Sequence, residues 1–472
     1  MHHYSWKQII VLGLNALFIY TGVYSLSAYM PQLIWHLGVP RENIGYQVGA
    51  ANNIMYASAA LGTLTSGFLP SFIDSKRLLV VTMALQGIFS ILYGFSDSIT
   101  YLFTTLITLG FFGGAASVII RTVISKKCTG PHQSYLLTWT MSGPITMTSA
   151  LSPSLAGYLS VPAEKYPWLF SVRSAFKLFP ILLFQLFLGG CLLLMSLVSY
   201  YVVNDECLSH EKVPHMPDAE TKYTLLQGEE GILESNINGR TLLVGETDQY
   251  HEKTKLKLLI DDILTNPSYI GSALVGALFA ACDVAYISLA PVWLQASRSN
   301  HGRDYNSNEI SNILIVSGTI TAVANYTILG KINTMLHPKV GLSIWITLVM
   351  VCVTITPILS CISDEVIFNV VYLPVNIIFN VCVSAGYTPT NLMSQNSVPV
   401  AATAIMWSSS LLLSRLIEGS LSNAVTSLFA WSIEDDRTFP FDYHLAFFCL
   451  GVTFLLSYVP TVLIRFNIEQ RP

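Results

Sequence analysis

Asp283, in "LFAACDVAYISL", is an acid set among small and apolar residues, about midway along a run near 268–295. At helical spacing it shares a face with Ser272, Gly276 and Tyr286. A carboxylate there is costly to keep ionised, so its protonated form is favoured, which is the property a proton-coupling acid needs. The alternative is a carboxyl held neutral, or bonded to a neighbouring helix, for structural reasons. A second site lies in "LLLSRLIEGSLSN", where Arg415 precedes Glu418 by three residues and shares its helical face. A local ion pair would satisfy both charges, as buried charges usually require. A functional pair would use Arg415 to hold an anionic substrate, or would exchange Arg415 between Glu418 and Asp283.

Uncharged polar residues form stripes. Asn369, Tyr372, Asn376, Asn380 and Tyr387 recur at three-, four- and seven-residue steps and so line one face of a single helix. Tyr20, Tyr24 and Ser27 do the same near the amino terminus, as do Ser317, Thr321 and Asn325 in a later run. Asparagines in hydrocarbon are costly unless they line water or pair across helices, so these stripes are candidates for a solute cavity. The plainer alternative is hydrogen-bonded glue between helices.

The elements that would position these residues are membrane helices. Apolar residues make up 52% of the chain and Asp, Glu, Lys and Arg only 11%, less than half of a soluble protein's usual share. Apolar runs able to span a bilayer stand near 9–35, 45–70, 78–96, 99–122, 134–158, 178–203, 268–295, 310–334, 340–361, 366–388, 401–431 and 444–466. That is six spans, a gap and six more. The first run is too long for a signal-peptide core and lacks a cleavage site, so it is expected to remain as a span. The gap, 204–267, is hydrophilic, carries both charge signs and ends in "KLKLLIDDIL", which suggests a cytosolic linker closing in an interfacial helix. The expected division is therefore 1–203, an amino-terminal six-helix bundle, then the linker 204–267, then 268–472, a carboxy-terminal six-helix bundle. Two such halves suggest parallel repeats with a site at their interface near midplane.

Orientation follows from Lys and Arg in the short loops. With both termini cytosolic, the inner side holds Lys7, Lys76, Arg77, Lys126, Lys127, Lys331, Lys339, Arg465 and Arg471, with Arg121 at a span end. The outer side holds Arg41, Lys165, Arg173, Lys177, Arg298, Arg303 and Arg437. A net charge of −4 gives no reason to expect a nucleic-acid partner. Eight cysteines are scattered without a CxxC pair or a Cys/His spacing, so neither a disulfide framework, a metal site nor a cofactor is expected. No span clusters His, Cys or acidic ligands, which argues against a metal-ion carrier. Nucleophile elbow, P-loop and HExxH are all missing, so the chain reads as a protein other than an enzyme.

The stretch "SGFLPSFIDSKRLLVV" (66–81) fixes a resemblance. With the six-plus-six plan it is similar to the major facilitator superfamily, whose hallmark between spans two and three is Gly-x-Leu-x-Asp-x-x-Gly-Arg-Lys/Arg. Gly67, Leu69, Lys76 and Arg77 fall at matching places, while Ser71 replaces the Asp and Asp74 replaces the second Gly. "IGYQVGA", "SVIIRTVISKKC" with Arg121 at a usually basic place, "GYLSVPAEKYPWLF" and "FPFDYHLAFF" resemble the zinc-induced-facilitator-like and tetracycline-exporter-like branch. The resemblance implies an all-α integral membrane protein of twelve transmembrane helices in two pseudo-symmetric bundles, the major facilitator fold. It also implies alternating access and export or exchange of small organic molecules, often against protons. Two departures stand out. Leu109 lies near the place of the antiporters' span-four Arg, and "SPSLAG" replaces their span-five Gly-Pro-x-x-Gly-Gly while keeping Pro153 and small residues. In the family the loop Asp bridges to the other half. Ser71 can cap a helix but has no charge, and Asp74 is left to pair with Arg77 or Lys76, or to reach across itself. A weakened latch shifts the inward/outward equilibrium without abolishing transport.

The expectation is thus a secondary-active antiporter of small organic solutes with the proton as coupling ion. It would be monomeric in the lipid bilayer of the plasma membrane or of a vacuole or lysosome. The competing expectation is a transporter-like sensor or assembly partner without net transport.

Overall fold

In hydrocarbon a chain must satisfy its own backbone hydrogen bonds, and for apolar runs of this length the helix does so within one segment. The structure, a computed structural model, describes residues 6–40, 44–127, 133–170, 174–203, 265–298, 302–305, 307–399, 402–433 and 439–464, and every regular element among them is helical. The expected linker lies outside the described residues as far as 264, and with it the expected interfacial helix. Arg41, Arg173, Arg437, Arg465 and Arg471, five of the charges from which sidedness is read, also lie outside them.

Helices stand at all twelve expected places. The first half comprises α1 (Trp6–Tyr24), α2 (Leu26–His36), α3 (Ile44–Phe68), α4 (Ser75–Gly94), α5 (Ile99–Lys127), α6 (Gln133–Leu137), α7 (Gly143–Leu159), the short α8 (Pro162–Lys165) and α9 (Ala175–Leu178), and α10 (Leu182–Val202). The second comprises α11 (Pro267–Gln295), α12 (Ser307–Ala324), α13 (Gly330–Met335), α14 (Pro338–Ile355), α15 (Glu365–Asn396), α16 (Thr403–Ile433) and α17 (His444–Leu456). Local signals set the starts. Asn266 caps α11 by accepting from the Ser268 and Tyr269 amides, with Pro267 in the first turn. Asp364 caps α15 by accepting from the Ile367 amide at 2.9 Å.

Among the described residues nine helices are long and apolar enough to cross a membrane by length and composition. The three remaining places are those of spans two, five and eleven. There α3 lies against α16, and α7 against α12, so each of these more polar helices meets a helix of the opposite half. Within the first half α3 and α5 touch backbone to backbone. A Cβ on Gly62 would stand 2.0 Å from the Phe111 carbonyl oxygen, and one on Gly114 2.2 Å from that of Ala59. Small residues permit such approach between membrane helices.

Two helices carry a wider turn. A π segment, Thr138–Ser142, joins α6 to α7, and another, Asn325–Leu329, joins α12 to α13. The two face each other across the interface between the halves, with the Trp139 and Tyr326 rings 4.9 Å apart, edge to face.

Buried apolar side chains form two clusters, one mainly from each half. The first also takes in Tyr269, Leu392, Val398, Met406, Trp407 and Leu411 from the second half. Several of these sit at the end of the bundle that carries the turn Leu69–Ser71, which we call the loop end. There the halves share one core.

Candidate functional site

Between the halves lies a cavity lined by residues from six helices. Tyr20 and Tyr24 come from α1, Arg121 from α5, Ile145 from α7, Gly276 and Ala280 from α11. Tyr387, Thr390, Asn391 and Ser394 come from α15, and Trp407, Leu411, Ser414, Arg415 and Glu418 from α16. The repeats of three and four along α15 and α16 put each set on one face.

Asp283 is 1% exposed. Its Oδ2 accepts a hydrogen bond of 2.9 Å from the Tyr387 hydroxyl, so the acid on α11 meets the cavity through a tyrosine on α15. Arg415 and Glu418 are both buried, and Arg415 Nη1 donates to Glu418 Oε2 at 2.7 Å. The guanidinium also sits 5.8 Å from the centre of the Tyr56 ring. Arg121 is the other cation of the wall. Its Nε donates to the Tyr20 hydroxyl at 2.8 Å, and the guanidinium lies 5.7 Å from the Tyr20 ring and 5.2 Å from that of Trp407.

The loop end of this cavity is bounded by contacts between the halves. Trp407 Nε1 donates to Ser125 Oγ at 2.8 Å, and Gln395 Nε2 donates to the Ser125 carbonyl oxygen at 2.8 Å. Ser408 Oγ donates to the Thr63 carbonyl oxygen at 2.7 Å, and a Cβ on Gly67 would come within 2.5 Å of Ser408 Cβ. Gly67 therefore lets α3 meet α16. Leu69 packs against the first core. Asp74 occupies the cap position of α4 without a side-chain cap bond and pairs with Arg77 Nε at 3.4 Å, both largely exposed. Lys76 lies over the Tyr200 ring at 5.6 Å. Ser71 ends the turn at 69–71, and its side chain lies outside the described ones. An exposed pair like Asp74–Arg77 contributes about 0–1 kcal/mol and lies within one half, so contact between the halves at this end is made by Gly67 with Ser408, by Trp407 and Gln395 with Ser125, and by the shared core.

The stripe on α15 divides. Tyr372, Asn376 and Asn380 line a second cavity with Tyr286, Phe379 and Ser149. Asn369 lies nearer the far end and accepts from the Tyr305 hydroxyl at 2.9 Å. Ser317, Thr321 and Asn325 fall in a hydrogen-bonded seam. Asn376 Nδ2 donates to Ser317 Oγ at 3.2 Å, Thr321 donates to the Ser317 carbonyl oxygen at 2.8 Å, and Asn325 Nδ2 donates to Thr146 Oγ1 at 3.2 Å. Ser384 Oγ donates back to Asn325 Oδ1. Tyr24 also lines a third cavity with Tyr56, Asn52, Ser288 and Asn423.

Tyr56, Asn391, Ser125, Trp407, Gln395 and Ser408 are among the participants not singled out by sequence. Asn391 carried a signal, because it continues the α15 stripe one turn past Tyr387. The others meet partners that lie far away in the chain.

The sequence profile of the Major Facilitator Superfamily matches residues 12–417. The chain belongs to that superfamily. Its members are membrane transporters, and this one is a multi-pass integral membrane protein. Among relatives, a probable peptide/nitrate transporter of Arabidopsis thaliana is 25% identical over 69% of this chain and 62% of its own. Zinc Induced Facilitator-Like 1 from the same plant is 22% identical, with 70% and 64% covered. The matched region thus spans less than two thirds of these relatives. Among solved structures, a bacterial homologue of the iron transporter ferroportin in an outward-facing state superposes with a TM-score of 0.58 at 15% identity, covering 97% of this chain and 98% of that one. The proton:xylose symporter XylE bound to 6-bromo-6-deoxy-D-glucose gives 0.60 at 14%, covering 96% and 94%. These two show that this superfamily member has the major facilitator fold.

Proposed function

We propose that this superfamily member is a secondary-active transporter that moves small organic solutes by alternating access, with Asp283 as its proton-coupling acid. The supporting observation is the buried bond from Tyr387 to Asp283 Oδ2, because Tyr387 also lines the central cavity. An ionised carboxylate only accepts, whereas a protonated one is itself a donor. Proton occupancy of Asp283 therefore changes what the Tyr387 hydroxyl presents to a solute. A coupled carrier needs such a link between the two sites.

The halves 1–203 and 268–472 rock about the central cavity, joined by 204–267, with both termini cytosolic. The contacts of Gln395, Trp407 and Ser408 to the first half release when the loop end opens. Ser134 Oγ, which donates to the Asn333 carbonyl oxygen at 3.4 Å, parts along with them, and since neutral hydrogen bonds of this kind contribute about 0.5–1.5 kcal/mol each, differential binding of a solute to the two states shifts the balance. The protein works as a monomer and exchanges solute against protons across the plasma membrane or a vacuolar or lysosomal membrane.

The test uses purified protein in liposomes with a trapped pH dye, an imposed pH gradient, and a panel of organic anions, zwitterions and cationic drugs. Solute-evoked proton flux is expected in the wild type and its loss in Asp283→Asn. Flux that persists in that variant moves the coupling to Glu418 or elsewhere. Folded protein that moves none of the panel favours the sensor reading, to which the exposed Asp74–Arg77 pair in place of a bridging acid already lends support.

A further inference from the structure

Two buried donors on the wall of the central cavity lack acceptors. Asn391 is 5% exposed, and its Nδ2 has no hydrogen-bond partner among the described residues. Arg415 is equally buried, and while its Nη1 is held by Glu418, its Nε has no partner there either. Buried polar groups are nearly always satisfied, so two orphans on one cavity wall call for an explanation. The charges point the same way. The wall carries two cations, Arg121 and Arg415, and one acid, Glu418, which is already engaged by Arg415. The other titratable groups that line it are the Tyr20, Tyr24 and Tyr387 phenols, and Asp283 stands behind Tyr387.

We propose that this cavity receives its solute by a carboxylate, which accepts from Arg415 Nε and Asn391 Nδ2 and whose charge Arg121 balances. A carboxylate brings acceptor oxygens for both orphans and a single negative charge for the single uncompensated guanidinium. A neutral solute would fill the hydrogen bonds and leave the charge, and a cation would do neither. A phosphate would bring a second charge that the wall does not match. Trp407, Leu411, Ile145 and Ala280 supply an apolar surface for the remainder of the molecule. This names the substrate class within the transporter reading and rests on it for its biological meaning, while binding itself is measurable without transport.

The experiment is titration calorimetry of the purified full-length chain in detergent with benzoate, benzamide, benzylamine and inorganic phosphate as probes. Benzoate is expected to bind at least tenfold more tightly than the other three. Asn391→Leu and Arg121→Gln are each expected to weaken benzoate about tenfold, with Arg121→Lys retaining part of the affinity. Thermal unfolding of each variant checks that it is folded. Should Asn391→Leu fail to fold, Asn391→Asp keeps the shape, removes the donor and sets a charge against the probe, and it too is expected to lose binding. The proposal is overturned if benzamide, benzylamine or phosphate matches benzoate, if benzoate binds the folded variants as tightly as the wild type, or if folded wild type gives no benzoate signal. Benzoate binding without solute flux in liposomes would sink the transporter reading alone. Flux of neutral or cationic solutes without benzoate binding would sink the carboxylate site alone.

Discussion

Arg415 and Glu418 sit together in a buried stretch of α16, and such a pair is easier to replace whole than to halve. Glu418→Leu leaves a guanidinium buried without its counterion and should cost about 3–5 kcal/mol. Arg415→Met combined with Glu418→Leu should restore most of that loss, read as the thermal midpoint of the detergent-purified protein. A double variant no more stable than Glu418→Leu alone would show that the pair is not the source of the strain. The pair was legible in sequence because its members stand three apart on one helix, where spacing alone fixes adjacency. Asp283 was legible as an acid but its partner was not, since Tyr387 lies 104 residues away. The same holds for Arg121 with Tyr20, 101 residues apart. Periodicity assigns a face to each residue and is silent about which foreign helix the face meets.

At the scale of elements, each of the twelve apolar runs met a helix among the described residues, nine of them long and apolar enough to cross a membrane, because lipid exposure demands such runs. Spans two, five and eleven were the least apolar, and each meets a helix of the opposite half, where polar side chains can find partners across the interface. The contact of α3 with α5 gives a sharp test. Gly62→Ala puts a methyl 2.0 Å from a backbone oxygen, which no side-chain rotation relieves. We expect a loss of about 1–3 kcal/mol, the usual cost of overpacking, or failure to accumulate, whereas Gly49→Ala, where the added methyl meets nothing within 4 Å, should be close to neutral. Equal behaviour of the two variants in a melting experiment would refute the close approach. The π turns were not legible at all. A widened turn leaves the apolar pattern on either side intact and places no signature residue at its centre.

For the whole molecule, the balance between open and closed at the loop end should respond to the bonds made there, beside the shared core. Gln395→Leu with Trp407→Phe removes both side-chain donors to Ser125. At about 1 kcal/mol each, their loss should raise the population open at the loop end by roughly tenfold or more. Ser394→Cys, on the cavity wall, provides the reporter, labelled by a membrane-impermeant maleimide applied from the loop end. Faster labelling in the double variant is the expected result, and unchanged labelling would place the closing contacts elsewhere. Asp74→Asn should leave that rate nearly unaltered, because its partner Arg77 lies in solvent on the same helix. Gly67→Val should raise it by wedging α3 from α16 at Ser408.

The paired turns at Thr138–Ser142 and Asn325–Leu329 bear on which changes in length the chain can survive. A π turn holds about one residue more than the α turn it interrupts. Deleting Thr140 would return the stretch to an ordinary helix and leave the faces of α6 and α7 where they are. Deleting Leu151, well inside α7, would rotate everything beyond it by about 100° and turn the seam toward α12 into lipid. Insertions and deletions are normally the least forgivable lesions in a membrane span. Here each half carries, at the point where it leans on the other, one place where a residue can be lost with the pattern preserved.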